Sequence, residues 1–198
     1  MHDALVSNWA GDSSWTAEAL ESLRDLNHRF LDLASERLGS WGAVVARQVA
    51  PLSASQRAAA ASCPYALFDL RFQDDRHWRL RLQNAGRWHV ADEAAADADT
   101  STFVRLALFY AWHVAATTRL APQLLLGMSD DTAAAFRRIT LSSLPGLAST
   151  EAANLTARWS NCSAYWRALM CAASSSDGAE LRRVQLYGLQ LAAATRLS

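Results

Sequence analysis

The chain has 198 residues and no lysine: all 19 of its cationic residues are arginine. Together with the abundance of alanine, this points to a GC-rich bacterial genome. The formal net charge is zero, which excludes a general electrostatic pull toward nucleic acid. Cysteine is scarce. Cys63, Cys162 and Cys171 are an odd number without CxxC or metal-ligand spacing, as expected of reduced thiols in a cytoplasm. The start, MHDALVSNWAGDSSW, lacks the basic head and apolar core of a secretory signal. The longest apolar run, Phe103 to Leu120, is interrupted by Arg105, His113 and Arg119, so no membrane span is expected. Phosphate-binding glycine loops of the GxGxxG or GxxxxGK[ST] type are missing too.

What is present is helix signal. Ala19, Leu23, Leu26, Phe30 and Leu33 recur at alternating spacings of four and three, which predicts an amphipathic helix capped at Ser14 or Thr16 and running to Leu38. Residues 1–13 read as a flexible arm, and Gly39 as the helix stop. A short helix over 41–50 ends at Pro51. Ser53 and Gln56 have capping-box spacing, opening a helix over 54–62. Alternation in YALFDLRF and in Asn154 to Trp159 predicts two very short β segments. Asp74 and Asp75 start a helix carrying Trp78. Thr100 or Ser101 caps the 103–120 helix. Ser129-Asp-Asp opens another through Arg138, Ser142 caps a further one, and the last spans 178–197.

The order of features repeats. A constant offset of 77 residues lays Arg182 to Leu197 over the run that ends at Leu120, so Tyr110 meets Tyr187 and Ala115 meets Ala192. Arg71-Phe72 corresponds to Arg158-Trp159, and Trp78-Arg79 to Trp166-Arg167. The expectation is an all-α body, with one or two very short β segments paired across a pseudo-twofold. One unit covers 14–120 and a second 102–198, and they share the 103–120 helix. That helix should lie at the centre, with Tyr110 and Trp112 buried and touching both halves.

These features bring a family into view. Leu52-Ser53-x-x-Gln56, Ala61, Leu67 and Arg71-Phe72 in the first unit are similar to FlhD, the bacterial flagellar master-regulator subunit. So are Leu126 to Asp130, Leu141-Ser142 and Leu147-Ala148 in the second. Upstream, Leu26-Asn27, Leu33-Ala34 and Arg37-Leu38 resemble its first helix, and Leu186 to Leu197 its last. FlhD is a single homodimerising unit that acts with the zinc-containing subunit FlhC, whereas this chain carries two units. The resemblance implies a non-enzymatic transcriptional regulator acting through a protein partner, touching DNA only alongside it. An adaptor, chaperone or accessory component of a secretion or motility apparatus is the alternative.

The residues themselves favour no catalysis. The five histidines show no metal-ligand pairing. Asp74-Asp75 and Asp130-Asp131 open helices, where the dipole favours negative charge. The serines of 142–143 and 174–176 lack a nucleophile elbow. No cofactor, metal or small-molecule substrate is therefore expected. Residues 1–101 hold 10 arginines and 14 acids, and residues 102–198 hold 9 arginines and 5 acids. In that basic half Arg137-Arg138 and Arg182-Arg183 are the candidates for phosphate or partner contact. Trp9, Trp15 and Trp41, read in or beside loops, are candidates for a partner surface. Trp78, Trp159 and Trp166 are expected in the packing of the units.

Overall fold

In the computed structural model the described residues are 3–36, 43–83, 98–175 and 177–194; among residues 3–16 and at Ala43 only the backbone is described. Trp41, Gly39 and residues 195–198 lie outside that description, as do Leu38 and most of the acidic connection.

Helix α1 spans Asp3–Glu36. It starts eleven residues or more before the expected caps, so Ser14 and Thr16 are interior positions and the backbone of residues 3–13 is helical. The reason is compositional: nothing from Asp3 to Ser14 but Gly11 disfavours helix strongly. The expected stripe faces inward, with Ala19, Leu23, Leu26 and Phe30 buried. Each of the larger side chains contributes about 1.5–3 kcal/mol through burial. Helix α2 spans Ala43–Val49. Helix α3, Ala54–Ala61, has the full capping box at Ser53 and Gln56, which satisfies two orphan backbone donors.

Strand β1 is Phe68–Asp69 and strand β2 is Thr156–Ala157. They pair antiparallel, Phe68 with Ala157 and Asp69 with Thr156, so the two expected segments join into one small sheet. After each strand the chain turns through a left-handed residue, Arg71 at φ 57 and Trp159 at φ 51. Such a φ costs a side-chain-bearing residue on the order of 1–2 kcal/mol. Two buried indoles offset it: Trp78 Nε1 donates to the Arg71 carbonyl at 3.0 Å, and Trp166 Nε1 to the Arg158 carbonyl at 2.9 Å. The turn thus aligns Arg71 with Trp159, one residue away from the sequence pairing of Arg71 with Arg158.

Helix α4 is Asp75–Gln83 and α5 is Ala98–Thr117. Thr100 and Ser101 lie inside α5 rather than at its cap, and the helix stops before Leu120. A five-residue π-helical turn, Pro122–Leu126, closes on Gly127. Helix α6, Asp130–Phe136, is capped by Ser129, whose hydroxyl accepts from the Thr132 N–H. A 3₁₀ turn at Leu141–Ser143 precedes α7, Leu144–Glu151. Ser142 is therefore no cap: its hydroxyl pairs with Thr140 Oγ1 at 3.0 Å, as serine side chains in tight turns commonly do. Helix α8, Ser163–Ser174, and α9, Gly178–Ala194, complete the chain.

Packing comes in matched pairs. Helix α1 lies on α2 and α3, and α5 on α6 and α7; α1 and α5 also pack on each other. The halves then exchange helices, because α4 packs on α6 while α8 packs on α2 and α3. Phe103, Val104, Ala107, Leu108, Ala111, Val114 and Ala115 are buried, so α5 is central. Tyr110 is buried and its hydroxyl donates to the Ala19 carbonyl at 2.9 Å. Trp112 is only half-buried, with Nε1 donating to the Ile139 carbonyl at 3.0 Å. By its contacts α5 is the counterpart of α1. Helix α9 lies along α8, but among the described residues α5 makes no comparable contact with α4.

Candidate interaction surfaces and the contacts behind them

Three backbone hydrogen bonds tie the halves directly. Ala66 N donates to the Leu125 carbonyl at 2.7 Å, Arg158 N to Leu67 at 2.9 Å and Ser129 N to Phe72 at 3.2 Å. Asp75, at the start of α4, accepts from the Ser129 hydroxyl and, at 3.0 Å, from Thr132 Oγ1. One carboxylate thus links the first turn of α4 to the cap of α6. Inside the first half, Asn27 is fully buried on α1. Its amide donates to the carbonyls of Tyr65 at 2.9 Å, Ala61 at 3.3 Å and Cys63 at 3.4 Å, and its Oδ1 accepts from Leu67 N at 2.8 Å. One side chain therefore satisfies four backbone groups of the segment that leads into β1.

Where α3 ends, the fully buried Cys63, Tyr65 and Tyr165 come together, and the Tyr165 hydroxyl donates to that of Tyr65 at 3.1 Å. Burial pushes the Cys63 thiol up to about 12, and raises both phenols above their ordinary range. Helix α9 covers this cluster through Gly188: a Cβ there would stand 1.9 Å from Tyr65 Oη. Where α7 ends, the pairing is polar instead. The fully buried Glu151 has His77 Nε2 at 2.8 Å and Asn154 Nδ2 at 2.8 Å on one oxygen. Arg81 Nε forms an ion pair with the other oxygen at 2.9 Å. That oxygen has no aligned hydrogen bond, so the Arg81 contact is Coulombic. Sequence reading missed both groups. The signal was present in Glu151, a lone acid after the apolar Leu147-Ala148, and in Asn27, a polar residue on the apolar stripe.

A cleft of about 560 Å³ lies beside the β1–β2 pair and is lined by Asp69, Arg71, Asp75, Gly127, Arg158 and Trp159 among others. Arg158 is buried, with its guanidinium 4.5 Å from the Trp159 ring centroid, a cation–π distance. Gly127, at φ 71, makes room for that group; a Cβ there would lie 2.3 Å from Arg158 Nη2. Burial raises the Asp69 carboxyl above its usual range, and the Phe72 N–H and Arg158 partly offset this. The polar groups in the cleft wall have partners around the two turns: Asp69 accepts from the Phe72 N–H at 3.2 Å, Arg71 pairs with Asp74 at 2.7 Å, and Arg158 Nη1 donates to the Leu125 carbonyl at 3.4 Å. Among the described residues, no three His, Cys, Asp or Glu side chains cluster as metal ligands.

The sequence candidates fall on separate elements. Arg137 and Arg138 follow α6 and are exposed. Arg138 lines a second cleft of about 450 Å³ with Arg79, Leu82, Ile139, Thr140 and Ser143. Arg182 and Arg183 are exposed in the first half of α9. Near them α9 exposes Leu186, Tyr187 and Leu189, an apolar group. Trp9 and Trp15 belong to α1 rather than to loops; the tryptophan surface expected from them and Trp41 falls on side chains outside the described set. Trp78 and Trp166 are fully buried, as expected of packing residues, and Trp159 is half-buried.

Fold and surfaces together define an all-α protein whose two halves interlock around one central helix. No described helix is long and apolar enough to cross a membrane. No protein-family model matches the chain, and no curated protein or solved structure is significantly similar to it.

Proposed function

We propose that the chain is a non-enzymatic bacterial regulator resembling FlhD, a fused pair of units working in the cytoplasm through a protein partner. The observation that carries this reading is the exchange of α4 and α8 between the halves. A chain built of two units from a homodimerising family is expected to fold on itself in this way. The formal net charge of zero gives it little DNA affinity of its own. Arg137, Arg138, Arg182 and Arg183 are therefore assigned to phosphate contact within a partner complex, or to the partner itself. Electrophoretic mobility shifts with and without candidate regulators test this. A supershift that weakens when each arginine pair becomes alanine supports it; no complex with any regulator or DNA contradicts it.

A second reading is an adaptor, chaperone or accessory component of a secretion or motility apparatus, without nucleic-acid contact. It is favoured by the exposed Leu120, Leu124 and Leu141, which suit protein contact better than phosphate. Affinity capture with mass spectrometry separates the two, because apparatus proteins rather than transcription factors would then be recovered.

A further inference from the structure

The cleft of about 450 Å³ lined by α4, α6 and the turn before α7 differs in sign from two others. Beside β1 and β2, Asp69, Asp74 and Asp75 stand against Arg71 and Arg158. A cleft along α1 and α5 sets Asp32, Glu36 and Asp99 against Arg29. The α4–α6 cleft has Arg79 and Arg138 in its wall and no carboxylate. Arg138 is exposed, and its guanidinium has no partner among the described residues. Arg79 reaches Asp131 at 3.8 Å with both side chains exposed, so that pair holds the guanidinium weakly. Hydroxyls complete the polar side. Thr140 Oγ1 pairs with Ser142 Oγ at 3.0 Å and with Ser143 Oγ at 2.8 Å. Three O–H groups that share two such bonds leave one hydrogen for an incoming acceptor.

The other side of the cleft is apolar and fixed. Leu82 and Ile139 are half-buried and packed against the core, and Trp112 Nε1 holds the Ile139 carbonyl at 3.0 Å. The Arg138 and Ile139 N–H groups donate to the carbonyls of Ala135 at 3.0 Å and Phe136 at 3.2 Å. The turn that presents Arg138 is thus set before anything binds, which lowers the cost of ordering it. We propose that this cleft binds an acidic segment of a partner protein. A carboxylate is taken by Arg79, Arg138 and the hydroxyls, and a neighbouring aliphatic side chain lies on Leu82 and Ile139. The charge selects an acidic occupant. The apolar side selects a peptide, since a phosphodiester backbone carries no aliphatic side chain to cover it. A volume within the roughly 300–1,000 Å³ of ligand sites admits a short segment. The inference rests on the reading that the chain works through a protein partner, and it names the chemistry of that contact.

Fluorescence anisotropy of the full chain with a labelled octapeptide alternating glutamate and leucine tests this. Binding is expected with a dissociation constant on the order of 10–100 µM, weakened about fivefold or more when salt rises from about 0.05 to 0.5 M. An octapeptide alternating glutamate and serine is expected to bind about threefold more weakly or worse, because it leaves the apolar side bare. Arg79→Glu and Arg138→Glu are each expected to weaken the glutamate–leucine peptide by about tenfold or more, with unchanged circular dichroism spectra. Arg167→Glu makes the same change at the counterpart of Arg79 on α8. It is expected to leave binding within about twofold, since Arg167 is exposed and lines none of these clefts. No binding by the wild-type chain overturns the proposal, and so does binding that Arg79→Glu and Arg138→Glu leave intact. A labelled random-sequence DNA duplex that binds tighter than the peptide and is lost in the same variants overturns it in favour of phosphate. Binding that appears only after Asp92, Glu93 and Asp97 are changed to their amides overturns it in favour of the chain's own acidic connection. No regulator is present in these mixtures, so failure here is distinct from failure of the mobility-shift test.

Discussion

Replacing Asn27 should cost more than any surface change, and the size follows from its bonds. In Asn27→Ala the Leu67 N–H loses its 2.8 Å partner, and the Tyr65 carbonyl loses its 2.9 Å donor. Both groups belong to buried residues, and an unmet buried donor or acceptor costs about 1–3 kcal/mol. The bonds to Ala61 and Cys63 are longer, at 3.3 and 3.4 Å, and add less. With the small void left behind, the expected loss is about 3–5 kcal/mol. That is a large part of the roughly 5–15 kcal/mol that holds a typical domain together. Urea unfolding followed by tryptophan fluorescence and far-ultraviolet circular dichroism measures it. Asn27→Asp supplies an internal control. Its carboxylate still accepts from Leu67 N but faces three carbonyl oxygens, so it should be as unstable as the alanine variant at pH 7. Lowering the pH should restore stability to the aspartate variant alone, since the protonated acid donates again. A loss below about 1 kcal/mol for Asn27→Ala, within the ordinary range for a single surface change, would refute the claim that this side chain holds the loop.

Gly188→Ala drives a methyl into Tyr65 Oη and should cost about 1–3 kcal/mol by overpacking; adding Tyr65→Phe should recover part of it, read from the same urea curves. Glu151→Gln keeps the shape but removes the charge between His77 and Arg81, whereas His77→Ala leaves a buried carboxylate short of a partner. The second should be the worse by at least about 1 kcal/mol, within the 3–5 kcal/mol range for a broken buried pair, and thermal melts of both variants decide it. Thiol titration under native conditions should modify Cys171 first and Cys162 more slowly, because one is exposed and the other half-buried, and Cys63 only after denaturation. The pH dependence has a definite sign. In the folded chain the Cys63 thiol holds its proton to about 12, against 9.0 without burial. Above pH 9 the unfolded chain therefore sheds a proton that the folded chain keeps, and stability falls as pH rises, by at most about 1.4 kcal/mol per unit for this group. Tyr65, Tyr110 and Tyr165, also raised by burial, act in the same direction. A flat stability profile from pH 9 to 11 would contradict the burial of all four.

Local signals carried much of the fold. Ser53 with Gln56, Ser129 before two aspartates, and the apolar stripe of α1 each depend on residues within one or two turns, so spacing alone located them. The two short strands were legible because alternation is also local. Helix ends were less so. Ser14, Thr16, Thr100 and Ser101 have good capping chemistry, but each lies inside a longer helix, because nothing before them stops the chain from coiling. The polar contacts at Glu151 and Asn27 were not read, since they join residues up to 74 positions apart. The reading of 103–120 as a shared helix rested on sequence likeness and not on contacts. Its likeness to 182–197 is a likeness of sequence, while α5 takes the packing of α1. The outward leucines of α9 show the reverse case. Apolar residues at helical spacing lie on more than one side of this helix, and only the position of α8 tells which of them face solvent.

The central claim is that the two halves form one interlocked body, and native-state hydrogen exchange tests it most directly. The amides of Ala66, Ser129 and Arg158 each donate across the halves. If the halves unfold only together, these three should exchange with the free energy of global unfolding, matching the amides of Leu108 and Ala111 at the centre of α5. The contradicting result is exchange of the three through a separate, lower-energy opening while the amides of α5 stay protected. The halves would then be two adjoining bodies rather than one.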